Sequence, residues 1–469
     1  MLIWPLKFRA ASDGRVLFAD DTGSFFQSSS AFLDRYAQGH LSPEDERFLL
    51  EGGHGFDHQE DLTYTAFAYR WSRRQAAAGS LAYVILVPTL RCNLACVYCQ
   101  VSRAAENAQG YDWTEQTLQD VLEFLDQLPS DSVKIEFQGG EPLLRVDLLE
   151  RVRTFCRQRF ETASFVVCTN LQHLGAREWA FLEDPDTYVS TSIDGDAPTH
   201  TRQRTKDPER TGEFFANLRT AVERLGSERI SALPTLDPER PPDLEALVDL
   251  YAGHGIRSIY LRPISYHGFA RKITDAGASF ERWSSLYNGF IDQLIRRNAQ
   301  GGPMIEEYYF SLCLKRVFQP GADGHVDLRN PNQLGADYLV IDHDGTLYPS
   351  DEARMLARIG QIDLSIGHVS RGIEGDRLEL LNANSFNNLD PDCIHCPYQA
   401  FCGTDRIDDL ARYGRIDLPR PATWFCQRHL GVFDKIFTLL YSQDEAVRFS
   451  LAHWLGVSSL PDGLAPVHP

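Results

Sequence analysis

Between residues 81 and 310, short apolar runs alternate with longer stretches whose apolar residues recur at helical spacing. Nothing else in the chain constrains its fold as strongly. "LAYVILVP" reads as a buried strand, and "TEQTLQDVLEFLDQL" as a helix with Leu118, Val121, Leu122, Leu125 and Leu128 on one face. "SVKIEF" is the next strand, "RVDLLERVRTFCRQRF" a helix, and "SFVVCTN" and "TYVSTSID" are strands. Helix "GEFFANLRTAVERLG", strand "RISALPTL", helix "DLEALVDLYAGHG" and strand "SIYLRPI" follow. About six βα units of this kind make a parallel sheet covered by helices, because parallel neighbours need a long crossover. An open or closed α/β barrel fits, and its chemistry belongs at the C-terminal ends of the strands.

The flanks read differently. In residues 1–60, "LKFRA", "RVLFAD" and "GSFFQS" are short strands split by the turn signals "SDG" and "DDTG". "SSAFLDRYAQG" and "SPEDERFLLEGG" are two helices closed by glycine. This predicts a small winged-helix-like unit, either a binding module or a stabilising cap. Residues 311–445 are richer in Asp, Asn and Pro; "DYLVIDHDGTLYPS" reads as a hairpin, "DPDCIHCPYQAFCGTD" as loop and "LGVFDKIFTLLYS" as helix. Residues 446–469 form an extension whose tail, "PDGLAPVHP", is predicted to be mobile.

The formal charge of -19 argues against a nucleic-acid backbone as main partner. No apolar stretch reaches membrane-spanning length, and the N-terminus has no secretory pattern, so a cytoplasmic protein is expected. Ten cysteines are present, and seven fall in two groups: Cys92, Cys96 and Cys99, then Cys393, Cys396, Cys402 and Cys426. A chain of 469 residues needs no disulfides to hold its core, so grouped thiols read as metal ligands. Three thiolates leave one coordination position open, whether on zinc or on an iron–sulfur cluster; four saturate a site. Spacing alone leaves both metals open. Cys156 within a helix and Cys168 within a strand read as packed thiols.

The Cys92-x3-Cys96-x2-Cys99 run, with Tyr98 before the last cysteine, resembles the signature of radical S-adenosylmethionine (SAM) enzymes. Gly139, Gly140, Glu141 and Pro142 match that family's GGEP segment, Asn170 ends a later strand, and Ser192 and Asp194 match its S-x-D-G segment. "HTRQR" resembles its H-D-x-x-R segment at His200 and Arg204, with Thr201 in place of Asp. The resemblance implies a 4Fe–4S cluster on Cys92, Cys96 and Cys99 whose open iron binds SAM. It places Gly139, Gly140, Glu141 and Pro142 around the methionyl amine and Ser192 and Asp194 near the ribose or methionyl end. Arg204 falls at the carboxylate and Tyr98 near the adenine. Reductive cleavage of SAM would give a deoxyadenosyl radical able to attack unactivated C–H bonds.

Cys393-x2-Cys396-x5-Cys402, with Cys426 after it, is similar to the SPASM extension of peptide-modifying radical SAM enzymes. By that resemblance these four hold one auxiliary 4Fe–4S cluster; a zinc knuckle is the alternative. An inner cluster is not expected, because Ser350 and Arg406 stand where the family pattern has cysteines, leaving Cys313 alone. Asp351 corresponds to an Asp that acts as base in sulfatase-maturing relatives, and Asp405 is a weaker candidate for that role. "YTAFAYRW", "VPTLRCNLACVYCQ", "IEFQGGEPL" and "DCIHCPYQAFCGTD" most resemble the B-type maturase of bacterial His-Xaa-Ser systems. The implied architecture is α/β: a partial (β/α)6 radical SAM barrel over 81–310, an α+β unit over 1–60 that would suit leader-peptide binding, and a SPASM-like domain over 311–445. The implied partners are a ribosomal precursor peptide with His-x-Ser repeats and an electron donor such as flavodoxin or ferredoxin. Action on a protein side chain or a small molecule stays open, as does a non-enzymatic, metal-stabilised scaffold.

Overall fold

The computed structural model describes residues 1–11, 13–75, 79–272, 280–319, 332–383 and 385–468; Ser12 of the "SDG" turn lies outside them. Five core strands run parallel: Tyr83–Thr89, Ser132–Gly139, Thr162–Cys168, Thr187–Thr191 and Ile230–Ala232. Each lies where an apolar run predicts one. Along Ser132–Gly139 the side chains alternate. Val133, Ile135 and Phe137 are buried in the main core, which also holds Leu118, Val121 and Leu125 of the helix Glu115–Asp126 and Leu149 and Val152 of Val146–Arg159. Glu136 and Gln138 turn to the concave side and line a cavity there.

The last two predicted strands are each broken. "RISALPTL" splits into Ile230–Ala232 and Thr235–Leu236 around Pro234, which has no N–H for a ladder. "SIYLRPI" splits into Ser258–Ile259 and Arg262–Pro263, which pair in two separate small parallel sheets. Ile230–Ala232 is therefore the last strand on its side of the main sheet, and the barrel is partial. On the other side the sheet continues past Tyr83–Thr89. Tyr338–Ile341 pairs parallel with it, and Thr346–Tyr348 folds back through a turn at Gly345, whose φ is +89°. Two short strands, Gly367–His368 and Gly372–Ile373, complete a nine-stranded mixed sheet.

In the N-terminal region, Lys7–Ala10, Val16–Ala19 and Phe25–Ser28 form an antiparallel sheet. Ser29 caps the helix Ser30–Gln38, and a Ser42–Asp45 capping box starts Pro43–Glu51. Phe18, Phe26, Phe32 and Leu49 form a small core of their own. Phe25 turns away from it, its ring 4.9 Å from Phe437 in the helix Trp424–Leu440. A forked Arg9–Asp434 pair at 2.7 Å closes the same contact. The tail also departs from the expected mobility. Val467 bridges Gln27, and His468 is buried, because the outer backbone of Phe25–Ser28 offers an extended segment hydrogen bonds. Among the described residues, no helix is long and apolar enough to cross a membrane.

Candidate active site

The first three cysteines lie on a loop that leaves the strand Tyr83–Thr89. Arg91–Cys92 pairs with Ala104–Ala105 and closes the loop at its base. Asp112 braces it by accepting from Thr89 Oγ1 at 2.5 Å and from the Arg91 guanidinium at 2.7 Å. Across the loop, Gly139 and Gly140 end the second strand. A Cβ on Gly139 would stand 2.1 Å from the Thr89 carbonyl oxygen, and one on Gly140 would stand 2.2 Å from that of Arg91. Gly139 also has φ +125°. Only glycine permits this approach, which lets Gly140 N–H and Glu141 N–H donate to the Thr89 and Arg91 carbonyls. Gly140→Ala is accordingly expected to push the cysteine loop aside and destabilise the protein by about 1–3 kcal/mol. A lowered thermal midpoint together with reduced iron uptake checks this.

A cavity of about 260 Å³ opens at these strand ends. Cys92, Cys96, Cys99, Tyr98, Gly139, Gly140, Asn170, Ser192 and Arg204 all line it. Tyr98, Asp194 and Arg204 are joined: the Tyr98 hydroxyl donates to Asp194 at 2.5 Å and accepts from Arg204 at 2.6 Å. Asp194 is fully buried, and its other oxygen accepts from Thr235 N–H, so it anchors Tyr98 rather than lining the cavity. Arg204 belongs to a π-helical turn, Thr201–Thr205, ended by the left-handed Lys206. Single π-turns of this kind recur at functional sites. His200, which the H-D-x-x-R match covered, is buried and stacked 4.1 Å from Phe214; burial holds it down to about 3, so it is a neutral core residue.

Glu141 and Pro142 also lie behind the cavity wall. Glu141 accepts from Leu143 N–H and Asn170 N–H, and burial still pushes its carboxyl up to about 7. It ties the glycine segment to Asn170, whose amide donates to Asn93 at 2.8 Å. Leu171 follows in the left-handed region at φ +56°, a strained conformation for a branched side chain.

Sequence reasoning missed several lining residues. Glu136, Gln138, Thr191 and Arg262 are among them. Glu136 accepts from the Tyr83 hydroxyl at 2.5 Å and from Gln138 at 2.6 Å. Alternation along "SVKIEFQGG" puts Glu136 and Gln138 on one side, and that signal could have found them. Cys168 is a correction: it is only half-buried, lines the cavity and donates to Glu136 at 3.3 Å. Cys156 is a fully packed thiol, as expected.

Asp351 is not in the cavity wall. It opens the helix Asp351–Arg358 and accepts from the wholly buried Arg354 at 2.7–2.8 Å. Burial raises its pKa, Arg354 opposes that, and the nearby Glu136 charge raises it further; its own charge is felt at Cys168. Asp405 caps the helix Arg406–Tyr413 by accepting from Ile407 and Asp408 N–H.

The second cysteine group gathers around Cys402. Burial pushes its thiol well up, and the thiols of Cys396, Cys426, Cys393 and Cys313 raise it further. Cys426 sits in the first turn of Trp424–Leu440, beside the capping Thr423. Ser350 and Arg406 have other work here. Ser350 Oγ caps its helix by accepting from Ala353 N–H, and Arg406 pairs with Asp390 at 2.8 Å. Both groups offer sulfur donors of the kind soft metals prefer, and burial pushes the Cys92, Cys393 and Cys426 thiols up to about 12.

Residues 86–251 match the family model described as the radical SAM superfamily. The core is a radical SAM fold. The structure "Native anSMEcpe with bound AdoMet" superposes with TM-score 0.59 at 16% identity, covering 76% of this chain and 98% of that one. Streptococcus suis SuiB bound to S-adenosylmethionine gives 0.50 at 14% identity, covering 89% of this chain and all of that one. An uncharacterized protein of Methanocaldococcus jannaschii is 31% identical over 117 residues, 24% of this chain and 39% of that protein. A probable GTP 3',8-cyclase of Methanopyrus kandleri is 30% identical over 184 residues, 37% of this chain and 57% of that protein. The chain thus spans 39% and 57% of the length of these two curated relatives. The radical SAM core carries the cysteine loop, and a cysteine-rich region follows it.

Proposed function

We propose that this protein is a radical SAM peptide maturase of the SPASM type, which modifies a ribosomally made precursor peptide by oxidative cross-linking. The observation that carries the reading is the convergence of three thiols, the glycine segment and Arg204 on one cavity, with a four-thiol group in the same chain. A similar structure is titled with bound AdoMet and Cp18Cys peptide, which supports a peptide as substrate class.

In this reading Cys92, Cys96 and Cys99 hold the SAM-binding 4Fe–4S cluster, and Cys393, Cys396, Cys402 and Cys426 hold one auxiliary cluster. Bound together, cluster and SAM supply a hydrogen-abstracting radical. The chain's residues do the remaining work. Gly139, Gly140 and Ser192 offer backbone and hydroxyl groups to SAM, Arg204 offers a cation to its carboxylate, and Tyr98 holds that cation in place. Glu141 and Asn170 brace the wall. Glu136, which lines the cavity, and Asp351, held by Arg354 outside its wall, are the candidate acceptors of a proton from the peptide. The finer assignment is a precursor with His-x-Ser repeats, acted on in the cytoplasm with a flavodoxin or ferredoxin as donor.

The test is anaerobic turnover of the iron-loaded protein with SAM, a reductant and the candidate peptide. Deoxyadenosine should form together with a peptide lighter by two hydrogen atoms per cross-link. Deoxyadenosine without any change in peptide mass would refute the peptide assignment.

A further inference from the structure

The segment Cys393–Gly403 carries three of the four thiols of the second group, and it holds neither helix nor strand. What backs this segment therefore fixes where those thiols stand. Much of the backing comes from residues 1–75. Lys7 Nζ, held at 2.6 Å by Asp21, donates to the Gln399 side chain at 2.8 Å. The Tyr398 hydroxyl donates at 2.6 Å to Asp434, the carboxylate that the Arg9 guanidinium grips. In the turn Asp20–Gly23, the last residue lies against Phe401: a Cβ on Gly23 would stand 2.6 Å from the Phe401 ring.

Arg74 ties these contacts together. It ends the helix Leu62–Arg74, and its guanidinium donates to carbonyls of three separate segments. They are Thr22 in the N-terminal turn, Ala400 in the cysteine segment at 3.0 Å, and Val317 in the helix Tyr308–Phe318 at 3.4 Å. The same guanidinium lies 5.1 Å from the centre of the Phe401 ring. Burial, helped by the Arg316 charge, lowers its pKa to about 10, which still leaves it cationic at neutral pH. A lysine has no planar fork with which to span the three acceptors.

Charge adds to position. Burial raises the Cys396 thiol, and the Tyr398 N–H, Arg9 and Lys7 oppose that rise. Arg9 acts in the same sense at Cys426. Its partner Asp434 acts in the opposite sense at Cys396, so the charge there is balanced only while both members of the pair are present.

We propose that the N-terminal region forms a wall of the second metal site, with Lys7, Arg9 and Arg74 positioning Tyr398–Cys402 and Arg9 setting the charge balance beside Cys396. These three are positioning residues, since they act through Gln399, Asp434 and Ala400. The proposal rests on reading Cys393, Cys396, Cys402 and Cys426 as a metal site. It is independent of SAM and of the substrate.

The test uses the full chain with Cys92, Cys96 and Cys99 replaced by alanine, so that bound metal belongs to the second group. Arg74→Lys in that protein is expected to lose metal to a chelator about tenfold faster, because the fork onto Ala400 is lost. Arg9→Gln removes the cation and leaves Asp434. Its midpoint potential should move negative, by about threefold or more in the reduction equilibrium. Arg9→Lys should restore the potential, which a purely structural contact would not do. Should Arg74→Lys fail to fold, the half-exposed Arg9→Gln carries the extraction measurement as well. An unchanged extraction rate, or a potential that Arg9→Gln leaves in place, would overturn the proposal. So would a potential moved equally by Arg9→Lys and Arg9→Gln. An alanine protein that binds no metal would instead remove the metal-site reading itself.

Discussion

Anaerobically purified protein is expected to hold about eight irons per chain, and replacing Cys92, Cys96 and Cys99 together by alanine to leave about four. Deoxyadenosine formation by that variant should fall to background, because among the described residues only Cys168 is left as a thiol lining the cavity. The four remaining irons belong with Cys393, Cys396, Cys402 and Cys426, whose thiols influence one another electrostatically. Iron analysis, with the visible absorption of each preparation, checks both numbers. A native count near twelve would contradict the reading. A third cluster would have to displace the Ser350 helix cap and break the Arg406–Asp390 pair. A count near four with bound zinc would return the second group to a zinc site.

The second large effect is expected at Asp351. If it takes the substrate proton, Asp351→Asn should lower cross-linked product by about 10² to 10⁴-fold while deoxyadenosine still forms. Deuterium from labelled peptide should still reach deoxyadenosine. The structure adds a competing contribution: Asp351 neutralises the buried Arg354, whose other carboxylate partner among the described residues is Asp342, 3.7 Å away. Breaking such a pair costs about 3–5 kcal/mol, so the thermal midpoint should fall as well. Glu136→Gln separates the roles, since Glu136 lines the cavity and, among the described residues, accepts from Tyr83, Gln138 and Cys168 and from no arginine. Full coupled turnover in a folded, iron-loaded Asp351→Asn protein, with loss in Glu136→Gln, would move the base assignment to Glu136.

Much of the fold was legible because burial dictates it. Apolar runs such as "YVILVP" have nowhere to go but a covered sheet, and the helix faces repeat with their own period. The breaks at Pro234 and around Tyr260 were harder to see, since they depend on which backbone groups find a partner across space. The same holds for the hairpin Tyr338–Tyr348. Its turn is local chemistry, but its parallel pairing with Tyr83–Leu86 joins segments about 250 residues apart, and no local pattern records that.

The candidate site divides likewise. Motif spacing found the residues that share one short segment, such as Cys92, Cys96 and Cys99. It could not tell lining residues from bracing ones. Glu141 and Asp194 turned out to hold the wall, whereas Glu136 and Cys168, on strand faces outside any motif, look into the cavity. The tail was misread because its anchor, a pocket around His468, is assembled from residues more than 400 positions earlier.

The pairing of Tyr338–Ile341 with Tyr83–Leu86 gives the nine-stranded sheet a mechanical meaning. The segment leading into the cysteine-rich region is not only packed onto the core by side chains such as Leu339 and Val340; it is also stitched into the same backbone ladder. Swinging it away would rupture a row of cooperative hydrogen bonds instead of sliding one surface over another. Adjustment to a bulky guest must then come from the loops, while the strands that line the cavity keep their places.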